Sequence, residues 1–214
     1  MSQTFSFFFL AELTGTVAFA CSGAMVAIEK KLDLLGVIVL GVTTAVGGGM
    51  IRDILLGQLP PNLFINPAYV LTAFLAVLIL FFIVKFCRSS KKALSSETYE
   101  AVMNLLDAIG LGVFTAMGID TAIAAGYEKY HFFIIFLGVI TGVGGGILRD
   151  IMAGQTPFVL KKHVYACASL AGALSYVWLL PRIFPQAAFL ISAALVVLIR
   201  VLARHYKWNL PTAE

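Results

Sequence analysis

The chain has 214 residues, of which 60% are hydrophobic and 12% charged, and its mean hydropathy is +0.96. A soluble domain carries roughly 25% charged residues, so this composition excludes a chain that faces water on all sides. The net charge of +4 comes from short basic clusters between apolar runs, which is typical of membrane proteins, and we expect no nucleic-acid partner.

The predicted elements are seven membrane-spanning helices joined by short connections, an all-α integral membrane fold. In chain order the apolar runs cover residues 5–28, 32–56, 67–86, 101–125, 131–152, 164–180 and 184–203. The one clear linker, CRSSKKALSSETYE, follows the third run. The sequence therefore divides into a first repeat at 1–86, a cytoplasmic linker at 87–100, a second repeat at 101–180, and a seventh span with a cytoplasmic tail at 181–214.

Basic residues are distributed unevenly between the two predicted sides of the membrane. With Arg52 and Arg149 set aside, two lie on the side of the N-terminus and eleven on the side of the C-terminus. The eleven are Lys30, Lys31, Lys85, Arg88, Lys91, Lys92, Lys161, Lys162, Arg200, Arg204 and Lys207. The positive-inside rule then predicts a cytoplasmic C-terminus and an outer N-terminus.

One phrase occurs twice, as VGGGMIRDILLGQLPP and as VGGGILRDIMAGQTP. Residues 40–60 aligned with residues 137–157 share 14 identities in 21 positions. Upstream, the alignment pairs Glu12 with Asp107. Because each copy holds three spans, an odd number, the second copy is predicted to enter the membrane from the opposite side. This arrangement is a 3+3 inverted repeat with one additional C-terminal helix.

Each copy places three consecutive glycines inside a span. The two triplets are Gly47, Gly48, Gly49 and Gly144, Gly145, Gly146. Neither copy has a Walker lysine or G-x-G-x-x-G spacing, which argues against a phosphate loop. A helical glycine costs roughly 1 kcal/mol relative to alanine, so the triplets favour a kink that lines a water-accessible path. Close packing of two helices is the alternative, and Gly138, Gly142 and Gly146 have the spacing for it.

Charged residues follow each triplet and also lie inside other spans. The candidate charged set is Arg52, Asp53, Arg149, Asp150, Glu12, Asp107 and Asp120. Ionisable groups within a span usually pair in the bundle interior. Adjacent positions point about 100° apart on a helix, so each arginine is predicted to pair with the other copy, or with Glu12 or Asp107, and not with its neighbouring aspartate. The alternative places both Arg-Asp pairs at helix ends near the headgroups.

The embedded acids have two readings, since each can line a pore or neutralise an arginine. The upstream alignment that pairs Glu12 with Asp107 also pairs Phe19 with Phe114. Asp120 aligns with Met25, so it has no acidic counterpart in the first repeat.

The remaining chemistry-bearing residues form no constellation that an enzyme would need. The cysteines Cys21, Cys87 and Cys167 follow no metal or redox spacing. The three histidines, at 131, 163 and 205, lie at span ends, where we expect them at the membrane interface. We therefore expect no catalytic activity, no cofactor and no metal.

At these residues the chain resembles the prokaryotic members of the trimeric intracellular cation channel family, the TRIC channels. The resemblance covers nearly the whole length, and the doubled GGGxxRD phrase carries it. It implies a homotrimer among the lipids of a bacterial or archaeal plasma (inner) membrane, in which each protomer holds its own pore for monovalent cations, chiefly potassium. It also implies that the glycine triplets kink spans 2 and 5 around that pore. Animal members have a basic pair in one repeat, whereas this chain has Arg-Asp in both, so their lipid regulation and gating are not implied.

A second function stays open. Arginines that line a pore repel cations, and relatives in the same bacterial family are also described as transporters of amino acids such as glycine. The N-terminus of a half-helix together with an arginine would suit a carboxylate. The alternative is therefore a secondary transporter of a small amino acid.

Overall fold

The computed structural model describes residues 2–89, 95–161 and 164–208, which are helical and contain no β-strand. The helices in chain order are α1 (Ser2–Glu29), α2 (Leu34–Leu55), α3 (Asn62–Ile65), α4 (Ala68–Ser89), α5 (Ser96–Ala122), α6 (His131–Met152), α7 (Phe158–Lys161), α8 (Val164–Leu179) and α9 (Pro185–His205). A π-helical turn, Ile123–Tyr127, follows α5.

Within the described ranges, six helices are long and apolar enough to cross a membrane: α1, α2, α4, α5, α6 and α9. The protein is thus an all-helical integral membrane protein, as its composition predicts. Helix α8 is also apolar, but it has 16 residues and measures about 24 Å at 1.5 Å per residue. Because a crossing needs about 20 residues, the predicted seventh span at 164–180 stays a prediction.

The helices around the predicted linker extend further than hydropathy indicates. Helix α4 ends at Ser89 and α5 begins at Ser96, so only residues 90–94 of that segment, with Lys91 and Lys92, lie outside the description. The start of α5 has a local cause, because the Ser95 hydroxyl accepts a hydrogen bond from the Thr98 amide at 3.2 Å. A capped, polar first turn is invisible to a hydropathy scale.

Helix α5 lies at the centre of the bundle and packs against α1, α6, α8 and α9. It is the most buried of the six long helices, and α4 is the most exposed. One face of α4 is an apolar row that includes Leu75, Ile79, Phe82 and Phe86. Around the centre, α1 packs on α2, α5 on α6, and α2 on α6, so these four helices form one closed group.

The two glycine triplets meet where α2 crosses α6. A Cβ atom at Gly48 would overlap the carbonyl oxygen of Thr141, and one at Gly145 would overlap the carbonyl oxygen of Thr44. Both triplets are α-helical throughout, so neither is unwound. The close-packing role of glycine is therefore present at this crossing, which brings the two backbones into contact. A bend of either helix axis stays a prediction.

Replacing Gly145 with alanine is expected to force α2 and α6 apart and to lower the free energy of unfolding by about 1–3 kcal/mol. Gly49→Ala is the matched control, because the nearest atom to its Cβ would be Arg52 Nη2 at 3.8 Å. Alanine favours a helix by about 1 kcal/mol over glycine, so the control should be neutral or stabilising. Thermal unfolding of the detergent-purified variants measures both. Equal losses in the two variants would contradict the backbone contact.

Candidate functional site

Both Arg-Asp pairs lie in the last turn of their helices, with their side chains buried in the bundle. Arg52 and Asp53 of α2 are 4% and 2% exposed, and Arg149 and Asp150 of α6 are 0% and 1% exposed. The pairs therefore stand at helix ends, as the headgroup alternative holds, but they face protein and not the surface.

The first charge cluster consists of Glu12, Arg52, Asp53 and Tyr69. Arg52 donates from Nε to Asp53 Oδ1 at 2.9 Å, and its Nη1 lies 3.5 Å from Glu12 Oε1. The Tyr69 hydroxyl donates to Glu12 Oε2 at 2.6 Å. The second Asp53 oxygen accepts from the Asn62 amide at the start of α3, at 2.8 Å. One ion-pair network thus connects α1, α2, α3 and α4.

The second charge cluster consists of Asp107, Arg149, Asp150, Tyr165 and Arg200. Arg149 donates to Asp150 Oδ1 at 2.9 Å and to Asp107 Oδ1 at 2.6 Å. The Tyr165 hydroxyl donates to the same Asp107 oxygen at 3.3 Å, and Arg200 Nη2 lies 3.5 Å from the other one. This network connects α5, α6, α8 and α9.

Two further contacts complete the second charge cluster. The Asp150 Oδ2 atom accepts from the Phe158 amide at 2.7 Å, at the start of α7, as its counterpart does in the first cluster. Arg149 Nη1 also donates to the Ser22 hydroxyl of α1 at 2.7 Å. This last bond reaches from the second copy of the repeat into the first.

The prediction that the arginines do not pair with their neighbouring aspartates is wrong. In both copies the arginine Nε bonds the aspartate that follows it, as for Arg52 and Asp53. The 100° between adjacent Cα–Cβ directions does not prevent this bond, because the long arginine side chain can fold back along the helix. The predicted pairing with Glu12 and Asp107 is confirmed at the same time, and it lies within each copy.

The two clusters differ in formal charge and in packing. Two carboxylates and one guanidinium leave the first cluster with one negative charge, whereas two of each cancel in the second. A cavity of about 30 Å³ lies beside the first cluster, lined by Glu12, Arg52, Asp53 and Tyr69 among others. One water needs about 10–15 Å³ by this measure, so the cavity is the size of about two waters. The first cluster is the looser of the two.

Two aromatic rings fill the space between α1 and α5. Phe19 and Phe114 stack with ring centroids 5.3 Å apart, and they are 1% and 4% exposed. Gly110 makes room for the first ring, since a Cβ there would overlap it. These are the two phenylalanines that the repeat alignment pairs, and they occupy the centre of the four-helix group.

Among the described residues, Asp120 lies outside the hydrogen bonds of both clusters, although it is close enough to Glu12 for the two carboxylates to interact electrostatically. It is partly buried in α5 and accepts a hydrogen bond from the Tyr176 hydroxyl at 3.1 Å. Its partner is therefore a tyrosine and not an arginine. His131 and His205 are exposed at helix ends, and His163 falls outside the described residues.

Sequence reasoning missed three residues of the site. Tyr69 and Tyr165 occupy equivalent places near the start of α4 and α8, and extending the repeat alignment with a gap of one residue would have paired them. Arg200 counted only toward the cytoplasmic positive charge, yet it is 7% exposed and reaches Asp107. No local pattern marks it, because its partner is 93 residues away along the chain.

Comparisons with known proteins place this architecture among bacterial membrane proteins. The sequence model of the family described as Glycine transporter matches residues 9–85 and 104–181. These ranges contain the whole first cluster and all of the second cluster except Arg200. A UPF0126 membrane protein of Deinococcus radiodurans is 40% identical over 94% of this chain and 89% of its own. The UPF0126 inner membrane protein YadS of Escherichia coli K12 is 34% identical over 94% of this chain and 93% of its own.

Solved structures show the same fold. The crystal structure of a prokaryotic TRIC channel in 0.5 M KCl is 30% identical and covers 96% of this chain and 100% of its own, with a TM-score of 0.86. The TRIC trimeric intracellular cation channel orthologue from Rhodobacter sphaeroides is 32% identical over 94% of this chain and 98% of its own, with a TM-score of 0.83.

A double-mutant cycle on each arginine should measure the difference between the clusters. The cycle of Arg149→Gln with Asp107→Asn is expected to give the larger coupling energy, because that pair is 2.6 Å apart and fully buried. Breaking such a pair costs about 3–5 kcal/mol. The cycle of Arg52→Gln with Glu12→Gln should give less, at 3.5 Å beside a cavity. Unfolding free energies in detergent provide the values, and equal couplings would refute the asymmetry.

Proposed function

This chain belongs to the prokaryotic TRIC channel family, and on that premise we propose that it is a channel for monovalent cations, chiefly potassium. It is an integral membrane protein with relatives in bacterial inner membranes. The proposed assembly is a homotrimer among membrane lipids, with one pore inside each protomer. Helices α1, α2, α5 and α6 bound that pore, and α8 completes a seven-span topology with an outer N-terminus and a cytoplasmic C-terminus.

The repeated contacts support the proposed 3+3 inverted repeat. In each copy an arginine in the last turn of a helix pairs with its own aspartate and with an acid of the preceding long helix. In each copy a tyrosine also donates to that acid, from α4 in the first copy and from α8 in the second. If the chain holds two copies of one three-helix unit, inserted in opposite directions, the same contacts are expected in both clusters.

One observation carries the choice of a cation. The first charge cluster keeps one formal negative charge beside a water-sized cavity, although it contains an arginine. Glu12 and Asp53 both face that guanidinium, so the field at the cavity attracts a cation and does not repel it. These paired carboxylates thus offset the repulsion that an arginine in the pore would exert on a cation.

We infer that this arrangement is a closed state of the proposed channel. The stacked Phe19 and Phe114 rings fill the centre, and the backbones of α2 and α6 touch at Gly48 and Gly145. Conduction therefore requires these rings or helices to move. We propose that the glycine triplets allow that movement as a bend of α2 and α6, with the first cluster opening before the more tightly bound second one.

A small amino-acid transporter is the second candidate, since the family model is described as Glycine transporter. A structural observation also favours it. Arg52 Nη1 is buried and has no hydrogen-bond partner among the described residues, and Arg52 lines the cavity. A substrate carboxylate there would bind Nη1, with its ammonium group against Glu12. Glycine has five heavy atoms, so a cavity the size of about two waters would have to expand.

Neutralising the acid of the first cluster tests the channel mechanism. Glu12→Gln is expected to lower the ratio of potassium to chloride permeability at least about fivefold, because a unit charge 4 Å away is worth roughly 1 kcal/mol in water and more near protein. Glu29→Gln is the control, because Glu29 is exposed at the C-terminal end of α1, 17 residues or about 25 Å from Glu12. Reversal potentials in planar bilayers under a KCl gradient report the ratio. An unchanged ratio in Glu12→Gln would remove the first cluster from the ion path.

Reconstituted protein separates the channel from the transporter. We expect unitary current steps in potassium solution and no saturable uptake of labelled glycine into proteoliposomes. A channel passes many ions per opening, whereas a carrier moves substrate once per conformational cycle. Saturable glycine uptake without unitary currents would reverse the proposal. Light scattering of the same detergent-purified sample checks the trimer, with a mass of three chains expected.

A further inference from the structure

A basic pocket lies between α5, α8 and α9, outside the region that the proposed pore uses. Its volume is about 180 Å³, and the charged residues that line it are Arg200, Arg204 and Lys207. Trp208 also lines it, and no carboxylate belongs to the part of the lining that the structure describes. The three cations also line a neighbouring groove of about 850 Å³, which adds Glu97 and Glu100 of α5. The described lining of the pocket is therefore positive, and the acids among these described residues lie in the groove beside it.

Arg200 supplies a buried donor to this pocket. Its side chain is 7% exposed, and its guanidinium carbon lies 4.6 Å from the centre of the Tyr165 ring. Its Nη2 atom lies 3.5 Å from Asp107, but its Nε atom is buried and has no hydrogen-bond partner among the described residues. A buried N–H without an acceptor is costly, so this atom favours a bound acceptor.

The positions of the other two cations complete the arrangement. Arg200 and Arg204 lie one turn apart on one face of α9, and Lys207 follows the end of the helix with a left-handed backbone (φ 51°), where it lines the same pocket. Arg204 and Lys207 are exposed and long, so both can close on a ligand, whereas Arg200 is held in place by Asp107 and Tyr165. One buried guanidinium and two exposed cations, of which Arg204 also donates to the Glu97 carbonyl at 3.4 Å, suit an anion with several oxygens.

We propose that the basic pocket binds a phosphate-bearing anion. Arg200 Nε donates to a phosphate oxygen, Arg204 and Lys207 neutralise the remaining charge, and Trp208 lies beside the ligand. The phosphate belongs either to the headgroup of an anionic phospholipid, which a basic pocket at a helix end suits, or to a soluble phosphate compound. Because Arg200 also contacts Asp107, the ligand and the second charge cluster share one guanidinium.

Trp208 makes binding measurable without any recording of conduction. The chain has two tryptophans, and Trp178 is 60% exposed, so Trp178→Phe leaves Trp208 as the only emitter. Inorganic phosphate is titrated into the full-length protein in neutral detergent. In parallel, the protein is reconstituted into phosphatidylcholine vesicles with increasing phosphatidylglycerol. We expect a saturable change of Trp208 emission in at least one of the two series.

Charge-removing variants decide whether the pocket causes the signal. Lys207→Gln and Arg204→Gln should each weaken binding about fivefold, the effect of one charge near an anionic surface. Lys85→Gln is the control, an exposed cation of α4 outside the pocket lining. Arg200→Gln should abolish binding, and if that variant does not fold, the Arg204→Gln/Lys207→Gln pair decides.

The outcomes separate the two ligand sources. A response to phosphatidylglycerol alone assigns the pocket to a lipid headgroup, and a response to inorganic phosphate assigns it to phosphate compounds in solution. No saturable response in either series, or an equal loss in the Lys85→Gln control, overturns the proposal. Neither result depends on whether the protein conducts ions.

Discussion

A guanidinium inside a helical bundle must be neutralised where it lies, because moving it back to water would require the fold to open. That requirement organises both halves of this protein. Each buried arginine needs an acid from a different helix, and α1 and α5 supply Glu12 and Asp107. Each paired aspartate then accepts the first amide of a short helix, which positions α3 and α7. The order of the helices around each arginine therefore follows from the partners it needs.

The two clusters contain the same types of residue but differ in net charge and packing. In the second cluster the α9 side chain of Arg200 adds a second guanidinium to Asp107, and the formal charges cancel. The first cluster lacks such a helix, keeps one negative charge and borders a cavity. In the proposed channel, the looser cluster meets the ion and the tighter one anchors the bundle.

Close backbone contact is the second constraint on the arrangement. The glycines of α2 and α6 bring the carbonyls of Thr44 and Thr141 within reach of the opposing helix, which no residue with a Cβ would permit. Without a hydrophobic driving force in lipid, such packing is the main attraction between helices. It also places the stacked Phe19 and Phe114 rings at the centre, since a Cβ at Gly145 would lie 3.4 Å from the first ring. The stability of the bundle and, in the proposed channel, the closed state of the pore thus depend on the same contact between α2 and α6.

The sequence by itself determined the membrane class and six of the seven predicted spans, and it indicated Glu12 and Asp107 as partners of the arginines, since apolar length and an internal repeat are visible along the chain. Tertiary structure alone decided that Arg52 folds back on Asp53, that Tyr69 and Tyr165 join the clusters, and that Arg200 enters the second one. It also decided that the triplets meet across a helix crossing. Hydropathy and spacing are properties of neighbouring residues, whereas these contacts depend on which helices approach, at what depth and with which side-chain rotamer.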